Sequence, residues 1–473
     1  MTSSRLLIGG KWVNGASTFL VADKFTGERI ATVASASREQ VHEGVQAAAD
    51  AFARHRLTPY ARFEILQRAA SLLESRREAF KSTIVAESGF TVSDADGEVS
   101  RTLQTLILCA EEAKRIVGEM VPIDGAPGQE NRLAFTLRMP VGVICAITPF
   151  NSPLNTVAHK VGPALAAGNA VVLKPATQTP LTAALLCEVL EAAGIPPGYL
   201  NLVHGEGPEV GEWLLQEEQI AFYTFTGSTR VGSIIQRAIG LRRAQLELGS
   251  ISSTIVCEDA DLPRAIPRCV NASFRKAGQV CTSVQRLYVH RSILDGFVSA
   301  LVDATKKARV GDPKDPATLV GPMISEREAE RAATWVEEAL AQGANLACGG
   351  HREGALFFPT ILVDVDRSMR VMCEEIFAPV ISVLPYDSFD SAIREINATP
   401  YGLAAGIFTT SVNSAMRAAR QLQVGTVHIN ETSSSRVDVM PYGGVKQSGF
   451  GREGPKYAIH EMTEERLVTW SLY

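Results

Sequence analysis

Residues 141–174 read VGVICAITPFNSPLNTVAHKVGPALAAGNAVVLK. The run begins with residues 141–147, which are short, apolar and rich in β-branched side chains, as is typical of a buried strand. Residues 151–167 favour a helix, and residues 170–173 repeat the apolar pattern of a buried strand. A strand, a helix and a second strand in this order predict two parallel strands joined by a crossover helix.

The same alternation continues toward the C-terminus. Helices are predicted at residues 181–193, 207–216 and 230–238, with strands at 200–203 and 221–225. The pattern restarts after Gly249, with a helix at 262–277 and strands at 253–257, 286–289, 360–363, 404–408 and 426–429. Two α/β units with parallel sheets follow, with a seam near residues 247–249. Such sheets bind ligands beyond the carboxyl ends of their strands, so a cleft is expected at this seam.

The N-terminal side of this unit is predicted to be helical over residues 38–116. Apolar side chains recur at three- and four-residue intervals along residues 61–80, which indicates an amphipathic helix, and residues 94–116 give a second one. The chain as a whole is therefore predicted to have an α/β fold.

Length, charge and composition narrow the class of protein. The 473 residues suffice for two to four domains, and 46% hydrophobic and 21% charged residues are ordinary for a globular protein. A net charge of −5 does not suit a nucleic-acid partner. No apolar run reaches the roughly 18 residues that cross a bilayer, and the N-terminus has no secretory signal. A cytoplasmic location is expected, with neither nucleic acid nor membrane as partner.

Eight cysteines are scattered along the chain without a C-x-x-C motif or a metal-ligand spacing. This argues against disulfides and against a metal site, and most of these side chains are expected to be small buried groups. Cys281 differs because it follows a predicted helix and a glycine turn, where a loop can expose it. A reactive thiol there needs a lowered pKa or a neighbouring base.

Glu247 is the candidate base. It lies at the seam between Leu246 and Leu248, and a carboxylate in apolar surroundings has a raised pKa and can accept a proton near neutral pH. A lone Glu is more often a solvated surface group, so this hypothesis needs a nucleophile nearby. Asn151, after the first strand, can donate its amide to an oxyanion or can cap the following helix.

Two turns at strand ends are candidate ribose and phosphate sites. Lys174 follows the second strand, although by itself a surface lysine beside a turn is the simpler interpretation. Residues 225–232, FTGSTRVG, run from a strand through a turn into a helix, whose free amides can hold a phosphate. The turn lacks the G-x-G-x-x-G pattern, and a tight packing turn explains it equally well.

Together these motifs resemble the aldehyde dehydrogenase superfamily, from Leu7 to about Thr469. The resemblance is carried by TPFNSPLN (148–155), GPALAAGNAVVLKPATQTP (162–180), FTGSTRVG (225–232), LELGS (246–250), GQVC (278–281), EEIFAPV (374–380) and PYGGVKQSGFGREG (441–454). Within the superfamily, the chain looks most like the lactaldehyde, glycolaldehyde and phosphonoacetaldehyde group, with succinate-semialdehyde dehydrogenases further off.

The resemblance implies NAD(P)-dependent oxidation of an aldehyde to the acid. Cys281 would form a thiohemiacetal whose oxyanion is held by the Asn151 amide and the Cys281 backbone N–H, and loss of hydride to the nicotinamide would leave a thioester. Glu247 would activate the water that hydrolyses this thioester, and Lys160 would be a polar group near the base. Relatives that transfer the acyl group to coenzyme A tend to lack the base, so release of the free acid is expected.

The resemblance also implies a set of cofactor contacts. The residues expected at NAD or NADP are Thr148, Pro149, Phe150, Lys174, Thr177, Gly207, Gly211, Phe225, Gly227, Ser228, Leu248, Gly249, Glu375 and Phe377. Within this set, Lys174 would hold the adenosine ribose, and Gly227 and Ser228 would lie by the pyrophosphate. Glu375 and Phe377 would lie at the nicotinamide end.

Three positions depart from the family pattern. Phe150 replaces a Trp, and Ser250 replaces a second Gly after the base motif. Thr177 replaces a Glu that would bind the ribose hydroxyls of NAD and repel a 2′-phosphate. Acceptance of NADP is therefore expected, and Arg230 in the neighbouring turn adds positive charge.

Alignment of the motifs predicts a polar substrate tunnel. Its residues are Arg101, Ser152, Asn155, Thr156, His159, Val280, Thr282 and the loop 431–436, which includes Arg436. Positive charge from Arg101 and His159 favours a small polar or anionic aldehyde of the lactaldehyde, glycolaldehyde or semialdehyde type. Val280 replaces an Arg of phosphonate-specific relatives, which disfavours a dianionic phosphonate. Arg101 has an alternative interpretation as a buried structural ion pair with Glu98.

The superfamily fold implies three parts. These are a Rossmann-like cofactor domain (1–117 and 140–249), an α/β catalytic domain (250–425) and a small β oligomerisation arm (118–139 and 456–473), with residues 426–455 returning to the cofactor domain as an active-site loop. A homodimer or homotetramer is expected. Two alternatives stay open: a coenzyme A-acylating semialdehyde dehydrogenase, and a non-catalytic cofactor-binding or structural relative. The presence of Cys281, Glu247 and Asn151 together argues against the second.

Overall fold

A computed structural model describes residues 2–472, with side chains from residue 3 onward. The strands are β1 (Thr2–Ser4), β2 (Leu6–Ile8), β3 (Lys11–Val13), β4 (Ser17–Ala22), β5 (Arg29–Ser35), β6 (Met120–Val121), β7 (Arg132–Pro140), β8 (Val143–Ile147), β9 (Ala170–Lys174), β10 (Leu200–Leu202), β11 (Ile220–Thr226), β12 (Arg243–Glu247), β13 (Ser253–Val256), β14 (Arg286–His290), β15 (Asn345–Cys348), β16 (Arg352–Glu353), β17 (Leu356–Phe357), β18 (Thr360–Val363), β19 (Val380–Tyr386), β20 (Ala404–Phe408), β21 (Thr426–Ile429), β22 (Gly449–Phe450) and β23 (Thr463–Ser471).

The helices cover both faces of the larger sheets. They are α1 (Arg38–Arg54), α2 (Pro59–Ser75), α3 (Arg77–Ser88), α4 (Val92–Ala113), α5 (Asn155–Ala167), α6 (Leu181–Ala192), α7 (Gly207–Gln216), α8 (Thr229–Ala238), α9 (Leu262–Phe274), α10 (Leu294–Thr305), α11 (Glu326–Ala341), α12 (Arg370–Cys373), α13 (Phe389–Asn397), α14 (Val412–Gln421) and α15 (Pro455–Glu461). The predicted single helix over residues 61–80 is wrong, because the chain leaves helical geometry at Arg76, between α2 and α3.

The first large sheet has the strand order β22-β12-β11-β8-β9-β10-β2-β3. Strands β8 and β9 pair in parallel from Val143↔Ala170 to Ile147↔Lys174, with α5 as their crossover, as residues 141–174 predict. All of α5 and β9 is buried, because helices cover both faces of this sheet. The helix starts at Asn155 rather than at 151, since residues 151–154 form the turn that leaves the strand.

The second large sheet has the order β15-β18-β19-β14-β13-β20-β21 and is parallel except for β15. It begins after Gly249, as predicted, and encloses its own hydrophobic core around Ile255, Leu287 and Ile407. Strand β21 belongs to this sheet, so the predicted boundary at residue 425 falls one strand too early. The prediction also lacked β12, which brings Glu247 to the seam, and β19, which follows the segment that carries Glu375 and Phe377.

A third sheet, β23-β7-β6, lies apart from both cores. Strands β7 and β23 pair antiparallel from Arg132↔Ser471 to Pro140↔Thr463. Ile459 and Met462 of the α15 region pack into the core of the first large sheet, so within residues 456–473 it is β23 that belongs to the third sheet. Within residues 2–472, no helix has the length and apolar character needed to span a membrane.

Candidate active site

Two cavities meet at the seam between the large sheets. The larger, here the large cleft, has a volume of about 700 Å³ and lies beyond the carboxyl ends of β8, β11 and β12. The smaller, here the small cavity, has a volume of about 60 Å³. Asn151, Thr226, Glu247 and Cys281 line both. These four residues can therefore act on two ligands that approach each other from opposite sides.

A strained turn places Cys281 in this shared wall. After α9 ends, Lys276, Ala277 and Gly278 have φ values of 53°, 52° and 69°. A Cβ atom at position 278 would lie 2.2 Å from the carbonyl oxygen of Ala378, so only glycine fits there. The predicted helix over residues 262–277 is thus too long, and the turn that replaces its end aims the cysteine at the seam. Strain of this kind is typical of functional sites.

The Cys281 thiol is hydrogen-bonded to a tyrosine that also contacts the predicted base. Cys281 Sγ lies 2.9 Å from Tyr442 Oη, and Tyr442 Oη donates to Glu247 Oε1 at 3.4 Å. Burial and the charge of Glu247 raise the pKa of the Cys281 thiol. Burial raises the pKa of Glu247 to about 7, and the charge of Glu453 adds to this effect. The arrangement can pass the thiol proton through the phenol to the carboxylate near neutral pH.

Tyr442 was not singled out by the sequence analysis, although it lies in the motif PYGGVKQSGFGREG. We predict that Tyr442→Phe slows alkylation of the Cys281 thiol by iodoacetamide about fivefold to tenfold at pH 7–8, because the thiolate loses a hydrogen bond worth about 1 kcal/mol. The rate should be measured as a function of pH, with Tyr457→Phe on α15 as control. An unchanged rate and pH profile in Tyr442→Phe would contradict this role.

The Asn151 side chain lies beside the thiol. Its Nδ2 donates to the backbone oxygen of Gln279 at 2.9 Å, and its own backbone oxygen accepts from Lys276 Nζ at 3.1 Å. One amide N–H is thus fixed and the other can serve a ligand oxygen in the shared wall. The alternative as a helix cap does not hold, because the N-cap of α5 is Leu154.

Lys160 acts on the predicted base, Glu247, indirectly, through the carboxylate of Glu453. Lys160 Nζ lies 2.9 Å from Glu453 Oε1, and Arg436 Nη2 lies 2.9 Å from Glu453 Oε2, all three side chains being largely buried. The two cations hold the pKa of Glu453 well below its usual range. The resulting fixed negative charge helps to raise the pKa of Glu247. Glu453 is a second residue that the sequence analysis did not single out.

The large cleft fits a dinucleotide. A Cβ atom on Gly227 would lie 2.5 Å from the Phe225 ring, and one on Gly249 would lie 2.8 Å from Glu375 Oε2, so both glycines keep the wall open. Ser228 caps α8 by accepting from the Val231 amide at 3.3 Å, and both residues line the cleft. The start of a helix offers free amides and a positive dipole end to a pyrophosphate.

The predicted cofactor residues divide into two groups. Eight line the large cleft: Pro149, Phe150, Gly227, Ser228, Leu248, Gly249, Glu375 and Phe377. Six do not: Thr148, Lys174, Thr177, Gly207, Gly211 and Phe225. Burial lowers the pKa of Lys174 to about 8, and Thr177 Oγ1 donates to the Gly205 oxygen at 3.0 Å. The structure brings the expected pyrophosphate and nicotinamide ends together, whereas the adenosine end stays a prediction.

The small cavity contains seven of the eight residues named for the predicted tunnel. Those that line it are Arg101, Ser152, Asn155, Thr156, Val280, Thr282 and Arg436. His159 does not, which corrects the prediction: its side chain is 1% exposed, and Nε2 lies 2.8 Å from Asp438 Oδ1. The imidazole holds a carboxylate behind the wall instead of facing a substrate.

Arg101 is neutralised by a different partner from the one considered. Its Nη2 and Nε lie 2.7 Å and 3.1 Å from the two oxygens of Asp438, whereas Glu98 binds Lys276 Nζ at 2.6 Å. The Arg101–Glu98 ion pair is therefore wrong. Because Asp438 compensates its charge, Arg101 is a weaker anchor for an anion than its sequence position implies.

Arg275 is a cation in the wall of the small cavity that, unlike Arg101, is not paired with a carboxylate among the described residues. It lines the small cavity, and Nη2 donates to Ser434 Oγ at 2.8 Å, but no carboxylate within residues 2–472 forms an ion pair with it. Burial lowers the pKa of its guanidinium, and the charge of Asp94 partly opposes that effect. A cation without a direct ion pair favours an anionic ligand group. Its position in the turn before Cys281 was the only signal in the sequence.

The two-sheet fold, with a dinucleotide cleft at the carboxyl ends of parallel strands, is that of a nicotinamide-dependent oxidoreductase. The chain belongs to the aldehyde dehydrogenase family, which it matches over residues 12–468. It is 49% identical to 3-sulfolactaldehyde dehydrogenase of Priestia megaterium, covering 99% of this chain and 98% of that protein. It is 38% identical to lactaldehyde dehydrogenase of Methanocaldococcus jannaschii, covering 98% and 99%.

A solved structure gives the same fold. The chain superimposes with a TM-score of 0.97 on aldehyde dehydrogenase 21 from Physcomitrella patens in complex with the reaction product succinate, at 36% identity, covering 100% of this chain and 98% of that chain. The predicted family and fold class are confirmed. The protein is an enzyme of the oxidoreductase class.

Proposed function

We propose that this enzyme oxidises a small aldehyde carrying an anionic group to the free carboxylic acid, with NAD or NADP. The observation that carries the proposal is the unpaired Arg275 guanidinium in the small cavity, on the same wall as Cys281. The relatives named above act on sulfolactaldehyde and lactaldehyde, which are short and polar. A cavity of about 60 Å³ suits such a chain length.

The chemistry follows from the shared wall. Cys281 adds to the aldehyde carbon after its proton passes through Tyr442 toward Glu247, and the free N–H of Asn151 binds the oxygen of the resulting thiohemiacetal. The nicotinamide, when bound in the large cleft, supplies the hydride acceptor. Glu247 releases the thiol proton to solvent and then takes a proton from the water that hydrolyses the Cys281 thioester. The acid leaves, and the Cys281 thiolate is protonated again.

A panel of aldehydes tests the proposal. Formation of reduced nicotinamide should be followed with sulfolactaldehyde, succinate semialdehyde, lactaldehyde, butanal and benzaldehyde, with Cys281→Ser as the inactive control. We expect the anionic aldehydes to have the highest kcat/KM. Equal turnover of butanal and succinate semialdehyde would contradict the anion site. Because Glu247 is present, coenzyme A should not be needed, and an absolute requirement for it would favour an acylating enzyme instead.

The choice of cofactor is proposed to depend on the turn at Thr177. Thr177→Glu is expected to lower kcat/KM with NADP about tenfold or more relative to NAD, because a carboxylate near Lys174 would repel the 2′-phosphate. The ratio should be measured at a fixed aldehyde concentration, with Thr177→Gln as a control of similar size. The same ratio in both variants would count against charge as the cause.

Glu206 also affects the proposed choice between NAD and NADP. This residue is the N-cap of α7 and follows Gly205, the partner of Thr177, and its charge acts on Lys174. A carboxylate is therefore close to the adenosine end even without a Glu at position 177. NADP is proposed to be accepted, and Glu206→Gln should raise its use relative to NAD.

We also propose that the third sheet is an oligomerisation arm of a homodimer or homotetramer in the cytoplasm. Leu133, Leu137 and Trp470 are exposed on one face of this sheet and Leu467 on the other, with 42–64% of each residue accessible. Large apolar groups clustered on one small sheet are typical of contact surfaces. Trp470→Glu should shift the species seen in sedimentation velocity toward monomer.

A further inference from the structure

A separate cavity of about 440 Å³ opens on the second large sheet, here called the arginine pocket. Arg286 lies in its wall, and Arg367, Arg394 and Glu395 also line it. In the described part of the chain, its wall shares no residue with the large cleft or the small cavity. The reaction described above therefore makes no use of this pocket.

Arg286 is a buried cation without a partner. It begins β14 and is 3% exposed, and none of the residues between 2 and 472 forms an ion pair or a side-chain hydrogen bond with its guanidinium. Its Nε is completely enclosed. The ring of Tyr288 lies 5.6 Å away, which is a weak compensation. A buried guanidinium is unfavourable unless an acceptor reaches it.

Two hydroxyl groups share this situation. Ser253 of β13 and Ser382 of β19 are the register partners of Arg286 on its two neighbouring strands. Paired residues of neighbouring strands point to the same face of a sheet, so the three side chains lie side by side. Both hydroxyl oxygens are buried and, among the described residues, unbonded. The sheet thus places two further unbonded polar groups beside the Arg286 guanidinium, and of the three residues Arg286 is the one that lines the arginine pocket.

Like Arg286, two other side chains of the arginine pocket, Arg367 and Arg394, are positively charged. Arg394 is exposed and makes no ion pair with any described residue, and Arg367 is paired with Glu395. Glu395 is the only carboxylate among the described residues of the wall. An acceptor-only ligand with negative charge complements this set.

We propose that the arginine pocket binds a small metabolite through an oxyanion, with Arg286 as the central contact and phosphate as the simplest such group. The pocket also borders the cofactor wall. Ile251 lines it, and the backbone N–H of the adjacent Ser250 donates to Glu375 Oε1 at 3.0 Å. An occupant would therefore restrain the segment that holds Glu375.

Binding of inorganic phosphate tests the proposal. Equilibrium dialysis with labelled phosphate should use the full-length Arg275→Met protein saturated with NADH, so that neither the small cavity nor the large cleft takes up the probe. We expect about one phosphate per chain, at least tenfold weaker binding in the added Arg394→Ala variant, and no binding in the added Arg286→Met variant. Arg264→Ala, an exposed change on α9, is the control. Binding that is absent, or that survives both pocket changes, would overturn the proposal.

A second measurement does not depend on how well Arg286→Met folds. Cys373 is exposed and lines the arginine pocket, so bound phosphate should slow its alkylation. The protection, followed by mass spectrometry in a Cys281→Ser background, should exceed threefold and should be lost in Arg394→Ala. Alkylation at the same rate with and without phosphate would count against the site. Protection by glycerol 3-phosphate at lower concentration than by phosphate would assign the pocket to a phosphorylated metabolite.

Discussion

Replacement of Glu247 by Gln is expected to lower the steady-state kcat about 10²- to 10⁴-fold, because a general base contributes a factor of that size. The amide that replaces the carboxylate would keep the volume of the side chain but could not take a proton from water. One equivalent of reduced nicotinamide per active site should still form, and the acyl group should then remain on Cys281. Stopped-flow absorbance measures the burst, and mass spectrometry of the quenched enzyme measures the adduct.

The pH dependence provides a second measure of the same residue. The raised pKa of about 7 means that Glu247 is mostly protonated below that pH, so wild-type kcat should fall as the pH drops from 8 to 6. Glu247→Gln should lack this limb. Glu258→Gln, a change of a carboxylate that is 61% exposed, should behave like wild type. A Glu247→Gln enzyme with near-normal kcat would show that the water is activated elsewhere. Absence of the burst would instead show that the variant is blocked at loss of the thiol proton, before the thioester forms.

Replacement of Arg275 by Met is expected to lower kcat/KM for succinate semialdehyde about 10- to 100-fold. A hydrogen bond to a charged group contributes about 1.5–3 kcal/mol, and each 1.4 kcal/mol is a factor of ten. Butanal, which has the same chain length without the carboxylate, should change by less than about threefold. The comparison of the two aldehydes separates loss of the anion contact from general damage to the site.

Two further variants complete this measurement. Arg275→Lys keeps the charge and should recover part of the activity toward succinate semialdehyde, whereas Arg264→Met on the exposed face of α9 should have no effect. Equal losses with both aldehydes in Arg275→Met would indicate that the guanidinium only supports the loop through Ser434. The substrate class would then have to come from another part of the small cavity.

The sequence by itself determined the class of fold and the residue types of the reaction. The apolar runs of β8 and β9 are continuous because both faces of the sheet are covered, so local pattern was sufficient to place them. The motif around Cys281 and the carboxylate Glu247 could be recognised because their neighbours are contiguous in the chain. The turn after α9 could not be recognised from the sequence, because the left-handed conformation of its residues depends on the packing of Gly278 against Ala378.

Only the tertiary structure decided which charges are free. Arg101, His159 and Arg275 are all basic residues near the thiol in sequence alignment or spacing, but Asp438 binds the first two, and the third has no ion pair among the described residues. The partner lies more than 270 positions away along the chain from His159. Such a pairing cannot be predicted from the local sequence, because an ion pair depends on the distance between the groups and on their burial after folding. The contact between Tyr442 and the Cys281 thiol could not be predicted for the same reason, because the loop that carries Tyr442 approaches the seam only in the folded protein.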